Sequence, residues 1–260
     1  MFEPLVLFGS AVAAGILGGL LGIGGGVVIM PVLCFLFGIS TPFAAGTTAV
    51  AVFCTTLSGG YKHIKLGHVD TRSLVPIMTA GAFSTALFSH LFMLIAKKPA
   101  WLELGIGCVF LVISLRMIGE GIGKIQGPSE TDDRSENGSY LAKISVGAVS
   151  GMLPGLFGIG TGAVLVPAFN YCLKRPIKVA IGSSLVCFAV NAFISSAYKF
   201  FQGFVLVDKA IILCAGTMIG AYIGAVWNKG FPAASLKLLF GLIFLYIALK
   251  YIFLFWGVHI

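Results

Sequence analysis

The sequence predicts an all-α polytopic membrane protein made of two homologous repeats, and three observations carry that prediction. The chain is 58% hydrophobic and 10% charged, where a soluble domain carries about 25% charged residues. No Asp, Glu, Lys or Arg occurs from Pro4 to Tyr61, a stretch well beyond the roughly 20 apolar residues that span a bilayer. Finally, the run Leu20–Pro31, LLGIGGGVVIMP, returns at Leu156–Pro167 as LFGIGTGAVLVP, an offset of 136 (156 minus 20).

Apolar segments run through residues 4–37, 43–60, 73–96, 100–122, 144–173, 179–198, 208–228 and 234–256. Residues 123–142, GKIQGPSETDDRSENGSYLA, are polar, mixed in charge and rich in Gly and Ser, which is linker composition. The predicted organisation is therefore repeat 1 over 1–122, the linker over 123–142 and repeat 2 over 143–260. Met1-Phe2-Glu3-Pro4 lacks the positive n-region of a cleavable signal peptide. The formal charge of +8 sits mostly in short loops between apolar runs. There it orients the chain in a membrane, and no nucleic-acid partner is implied. The six cysteines, Cys34, Cys54, Cys108, Cys172, Cys187 and Cys214, lie inside apolar segments without CxxC spacing or a nearby His. They read as buried small hydrophobes, with no metal or cofactor.

The halves match beyond the glycine run. Ala44-Ala45-Gly46-Thr47-Thr48 pairs with Ala180-Ile181-Gly182-Ser183-Ser184 at the same offset, and Tyr61-Lys62 pairs with Tyr198-Lys199 after a one-residue slip. Segments 4–37 and 140–173 are each broken midway by glycines into pieces of about 16 residues, or about 24 Å at 1.5 Å per residue. That is short of a bilayer core of about 30 Å. Each segment reads either as two tilted spans or as a re-entrant hairpin that enters and leaves on one side. The first arrangement, eight spans with parallel repeats, divides the 17 Lys and Arg 10 to 7. The second, with three full spans per half and inverted repeats, leaves only Lys97, Lys98, Lys199, Lys209 and Lys250 on the poorer side, 5 against 12. The positive-inside rule favours inverted repeats, with the linker in the cytoplasm and both termini outside.

In lipid every backbone N–H and C=O must find a partner. A glycine cluster breaks a helix and frees several of them, and the helix that restarts presents amides suited to an anion. Gly22, Gly24, Gly25 and Gly26, with Gly158, Gly160, Thr161 and Gly162, therefore form the predicted substrate-binding set, the amides around Gly24–Val27 and Gly160–Ala163 converging on an anion. Thr47, Thr48, Ser183, Ser184 and Asn191 are further candidates, with Thr55 at the position equivalent to Asn191; back-bonding to a carbonyl four residues earlier is the structural alternative. Tyr61, Lys62, Tyr198 and Lys199 read as interface anchors or as a gate that attracts anions. Small-xxx-small spacings at Gly15/Gly19, Gly18/Gly22, Gly151/Gly155 and Gly216/Gly220/Gly224 read as helix packing. Asp70 and Asp208 read as helix caps, Arg116 and Glu120 as an i,i+4 pair, His63 and His68 as loop residues, and His90 as a satisfied core residue. Nucleotide motifs fail: GxGxxG would need glycine where Val27 stands, and GxxxxGK does not occur. HExxH, GxGD and a Ser with a partner His are likewise missing from the spans, so no enzyme is expected. No carboxylate lies near the middle of a span, which leaves the coupling ion unassigned.

The combination of GxxxGLxGIGGGxxxxP (Gly15–Pro31), AxGTT (Ala44–Thr48), Ser58–Lys62, the polar linker and GxxGIGxGxxxxP (Gly151–Pro167) resembles the TauE/SafE sulfite exporter family over essentially the whole chain. The resemblance implies a multi-pass permease of the cell (inner) membrane that moves sulfite, sulfonate or related organic anions. The expected function is a secondary carrier of a small anion, with its lipid bilayer and substrate as partners, working by alternating access around paired broken helices. An anion channel is the alternative. The second copy departs at Thr161, where the first has Gly25, so the site is expected to be asymmetric.

Overall fold

The computed structural model describes residues 2–123, 139–227 and 233–256. Its elements are α1 (Phe2–Leu21), α2 (Gly26–Pro31), α3 (Thr41–Lys65), α4 (Thr71–Ile95), α5 (Pro99–Gly121), α6 (Tyr140–Phe157), α7 (Gly162–Pro167), α8 (Ile177–Phe201), α9 (Val207–Trp227) and α10 (Ala233–Phe255). The chain is all-helical over these residues, and eight of the helices are long and apolar enough to cross a membrane. The two exceptions are α2 and α7, of six residues each, which continue as π-helical turns over Val32–Leu36 and Ala168–Cys172. Most of the linker predicted at 123–142 lies outside the described residues, although α6 takes up its last residues from Tyr140.

The widened turns follow from Pro31 and Pro167. A proline lacks the N–H that would bond the carbonyl four residues back, and its ring crowds that carbonyl. The helix answers with longer-range bonds: Phe37 N to Val32 O at 3.2 Å and Leu173 N to Ala168 O at 3.0 Å.

The first segment is not split into two like pieces, as expected from the sequence. α1 has 20 residues, about 30 Å, and the return piece is shorter. The glycines end α1 late because Gly15 and Gly19 lock it along α9 for most of its length: a Cβ at either would strike the Thr217 or Ala221 backbone. The two ends of the segment nevertheless lie near one residue. Lys209 pairs with Glu3 at the start of α1, and its ammonium also sits 5.7 Å from the ring of Phe37, just past the π-turn.

The helices pack in few, close pairs. α1 and α9 run parallel, with Gly216 and Gly220 against Phe8–Ile16 and Gly224 against Ile16. α4 and α6 also run parallel, through Gly147, Gly151 and Gly155 against Ile77–Phe88. α5 and α10 run antiparallel: Gly107 meets Ala248–Ile252 while Gly241 meets Met117–Ile118. α3 and α8 are antiparallel too, Gly46 meeting Phe204 and Gly182 meeting His63 and His68. The predicted packing positions Gly15/Gly19, Gly151/Gly155 and Gly216/Gly220/Gly224 thus sit where another helix's backbone comes close, as suits helices that lipid gives no hydrophobic reason to associate. Gly18/Gly22 does not, since Gly18 faces Gly24 and Gly25 of its own segment and Gly22 lies past the end of α1 among side chains. Cysteines depart from expectation: only Cys187 is buried, and Cys108 and Cys172 are exposed, which a bilayer tolerates because its tails are apolar. All six are free thiols.

Two alanine substitutions separate close packing from mere composition. A Cβ at Gly220 would fall on the Val12 carbonyl, whereas one at Gly9, also on a helix, meets nothing within 4 Å. Gly220→Ala is expected to destabilise the protein by about 1–3 kcal/mol through overpacking, and Gly9→Ala to be neutral or slightly stabilising, measured as thermal unfolding in detergent.

Candidate functional site

The two glycine runs meet. Gly24 packs against Val52 and Phe188, which lie halfway along α3 and α8, so the first break sits near the middle of the helical layer. A Cβ at Gly160 would land on the Ile23 carbonyl oxygen, and one at Gly162 on the Gly22 carbonyl. The breaks therefore cross backbone against backbone. Gly22 and Gly158, at equivalent positions, end their helices at φ 72° and 66°, the left-handed closure that glycine allows. The restarts differ. Gly25 precedes α2 at φ 72°, while Thr161 precedes α7 at φ −86°. The expected asymmetry at this position is thus a backbone difference, because threonine avoids the left-handed region.

The hydroxyl candidates divide by partner. Thr47 Oγ1 accepts the Leu206 amide at 3.1 Å, and Ser183 Oγ accepts the Asp70 amide at 2.8 Å. The two pairs are equivalent at the 136-residue offset; each pins the start of a helix from the other half, so these hydroxyls are engaged structurally. Ser184 Oγ donates to Ile181 O at 2.8 Å and lies 3.4 Å from Gly22 O, at the break itself. Thr48 Oγ1 approaches the Met30 sulfur at 3.9 Å. Thr55 bonds back to Ala51 O, as the structural alternative foresaw. Thr161 Oγ1 and Asn191 Oδ1 are buried without a hydrogen-bond partner among the described residues.

Several titratable residues sit elsewhere than expected. Asp70 caps α4 through no side-chain bond; its carboxylate instead holds Arg175 at 2.8 Å. His90 is exposed rather than a core residue. His63 belongs to α3 and is fully buried, its Nε2 3.4 Å from the Gly19 carbonyl. Lys199 is fully buried as well. Its ammonium donates to Pro154 O, Gly155 O and Ser195 Oγ at 2.9, 2.7 and 2.9 Å, and lies 4.6 Å from the Phe92 ring. Three donors meet three acceptors, which is how a cation survives without water. Gly19 and Gly155 are equivalent at the constant offset, and so are His63 and Lys199. The one-residue slip that aligned Lys199 with Lys62 is a coincidence of sequence. Tyr61 is exposed and Lys62 reaches the Tyr222 hydroxyl at 3.3 Å, both as interface anchors would; Tyr198 is also exposed.

Beside the crossing lies a cavity of about 230 Å³ whose walls include Ile23, Gly162, Ala163, Val166, Ile177 and Lys178, with Arg116 and Glu120 from α5. Arg116 donates from Nη1 to Ala163 O at 2.7 Å. Pro167, four residues on, has no N–H for that carbonyl, so the guanidinium supplies the missing donor. Its Nε and Nη2 both reach Glu120 Oε1, at 2.9 and 2.7 Å. The predicted i,i+4 pair forms, but as part of a cavity wall. The sequence signal was available: an arginine inside a span four residues from a glutamate marks a functional position more strongly than a surface pair does.

A family model described as "Sulfite exporter TauE/SafE" matches residues 7–251 of the chain. A probable membrane transporter protein of Xylella fastidiosa strain 9a5c is 30% identical, with 97% of this chain and 96% of that one covered. The probable membrane transporter protein YunE of Bacillus subtilis is 29% identical over 97% of both chains. A relative in Methanocaldococcus jannaschii, named in the same terms, is 28% identical over 90% of this chain and 89% of its own. No solved structure matches.

The buried ammonium gives a stability test. Lys199→Met takes the ammonium from the Gly155 carbonyl, at about 1–3 kcal/mol for a buried group left unpaired, while Pro154 O keeps its bonds from Ser195 Oγ and the Gly158 amide. The variant's unfolding temperature in detergent should fall well below that of the parent. Lys199→His, which copies the first half's arrangement at His63, should lose less.

Proposed function

The chain is a membrane transporter of the sulfite exporter TauE/SafE family, and we propose that it carries a small anion, of the sulfite or sulfonate class, by alternating access around the two crossed breaks. One observation carries the mechanism. The residues that wall the cavity from the two breaks and from the start of α8 have counterparts 136 positions away that are shut. Ile23, Ala163 and Val166 are partly exposed, whereas Ile159, Val27 and Met30 are 0%, 1% and 0% exposed. Ile177 is 39% exposed and its counterpart Thr41 is 5% exposed. One face of the crossing is open and the matching face is packed, which is the arrangement of a carrier resting in one of its two states.

The proposal takes the halves as inverted repeats. A two-fold axis in the membrane plane would make each self-equivalent pair run antiparallel, and α3/α8 and α5/α10 do so. It would also make the exchanged pairs α1/α9 and α6/α4 share one sense, and both are parallel. Under this reading segment 3–37 is a hairpin, its two ends held by Lys209. The linker then lies in the cytoplasm of a cell-membrane protein, and the open cavity, walled by Arg116 and Lys178, faces the same side. Substrate contacts are assigned to the breaks, Gly22, Gly24, Gly25 and Gly26 with Gly158, Gly160, Thr161 and Gly162, joined by Ser184, Thr48 and Asn191. The unpartnered Thr161 hydroxyl and Asn191 carbonyl oxygen support that assignment. Thr47 and Ser183 are left to hold the helix starts. Lys199, buried and fully bonded, is a support of α6 in place of a gate; Tyr61, Lys62 and Tyr198 keep the surface positions a gate would need.

Proteoliposomes offered sulfite, thiosulfate, sulfonates, sulfate and carboxylates should show saturable flux of a sulfur oxyanion. Flux of none of these anions contradicts the proposed cargo. A reporter fused to the C-terminus should lie outside the cytoplasm; a cytoplasmic signal contradicts the inverted arrangement.

A further inference from the structure

We propose that Arg116 is the anion-docking residue of the cavity and that Glu120 occupies its place until substrate arrives, an inference that rests on the anion-carrier reading above. The guanidinium is fixed in aim by its Nη1 bond to the Ala163 carbonyl, one residue past the start of α7. That bond uses one edge. The other edge, Nε and Nη2, is the fork that fits two oxygens of a carboxylate, sulfonate or sulfite.

Glu120 fills that fork incompletely. Both donors converge on Oε1 alone, at 2.9 and 2.7 Å, so the fork's two-oxygen match remains unused. An incoming oxyanion that offers an oxygen to each donor bonds better than the residue it displaces. The side chains of Arg116 and Glu120 are 25% and 13% exposed, so the pair is within reach of the cavity without being fully solvated, and its electrostatics are strong. The cavity of about 230 Å³ admits a small anion with water, and Arg116 and Lys178 outnumber Glu120 among its charged walls. Tyr171 lies under the guanidinium at 5.8 Å and restricts its swing.

The second half has nothing comparable. The counterparts of Arg116 and Glu120, at 252 and 256, are Ile252 and Trp256. Docking through Arg116 therefore belongs to one face alone. The anion is collected by charge on the open side and released on a side without it, so the two faces differ in apparent affinity.

Proteoliposome flux of sulfite, methanesulfonate and acetate tests this, comparing the parent with Arg116→Gln, Glu120→Gln and the double variant Arg116→Gln/Glu120→Gln. Arg116→Gln should raise KM about tenfold or more, and the double variant should match it. Glu120→Gln, which removes the competing negative charge and leaves only a neutral acceptor at the fork, should lower KM severalfold. Arg116→Lys, a point charge without the fork, should fall between for all three anions, each of which offers the fork two oxygens. Should Arg116→Gln fail to fold, as judged by gel filtration and thermal unfolding, Glu120→Gln still decides. An unchanged KM in Glu120→Gln, or in any folded Arg116 variant, overturns the docking role while parental flux upholds the carrier. If the parent moves none of the anions, the carrier reading itself fails.

Discussion

The fold depends on one constraint: two broken helices at the depth of a membrane must hide their freed backbone against something. Here they hide it against each other. The Gly22 and Ile23 carbonyls lie where any Cβ at Gly162 or Gly160 would be, and lipid supplies no water to take over if the two were parted. The surrounding helices serve that contact. α3 and α8 cover it with Val52 and Phe188, while Thr47 and Ser183 hold the neighbouring helix starts through the Leu206 and Asp70 amides. The breaks touch largely through main chain, with Val166 and Ser184 side chains closing over Gly22. A packed interface of that kind suits two discrete arrangements better than a continuous deformation.

Equivalent positions in the two halves have been given different chemistry. Where the first half uses His63 on the Gly19 carbonyl, the second uses Lys199 on Gly155, with a second carbonyl and a hydroxyl besides. Where the first restarts its helix from a left-handed glycine, the second restarts from Thr161 in an ordinary conformation. Arg116 adds a cation to one cavity with nothing matching it at Ile252. The second half is accordingly the more firmly tied, by donors from α5 and α8 to carbonyls of α6 and α7. If one break moves and the other stays, the first is the one held by fewer bonds.

The membrane class, the glycine breaks and the small-residue helix contacts were legible in the sequence, because each leaves a local mark: a charge-free run, a glycine cluster, a four-residue spacing. What was hidden depends on tertiary depth. His63 looks like a loop residue because α3 runs to Lys65, past the apolar stretch; only the packing of α1 and α8 around it shows that it is buried. Lys199 resembles Lys62 by its Tyr-Lys dipeptide, yet the two occupy different depths. Thr47 and Ser183 read as site residues from their place beside a glycine, and nothing local reveals the amides that engage them. Arg116 was visible as half of an ion pair, but its role at the Ala163 carbonyl needs the proline of another helix.

Alternating access is tested most directly by the reactivity of single cysteines at Ala163 and at its counterpart Val27, in a chain whose six native cysteines are replaced. A membrane-impermeant maleimide applied from the linker side should label Ala163→Cys readily at rest and leave Val27→Cys unlabelled from either side. Under a transported anion, labelling at 163 should fall while labelling at 27 rises from the opposite face. Reactivity at both positions that ignores the anion, or that comes from both faces at once, would contradict the account.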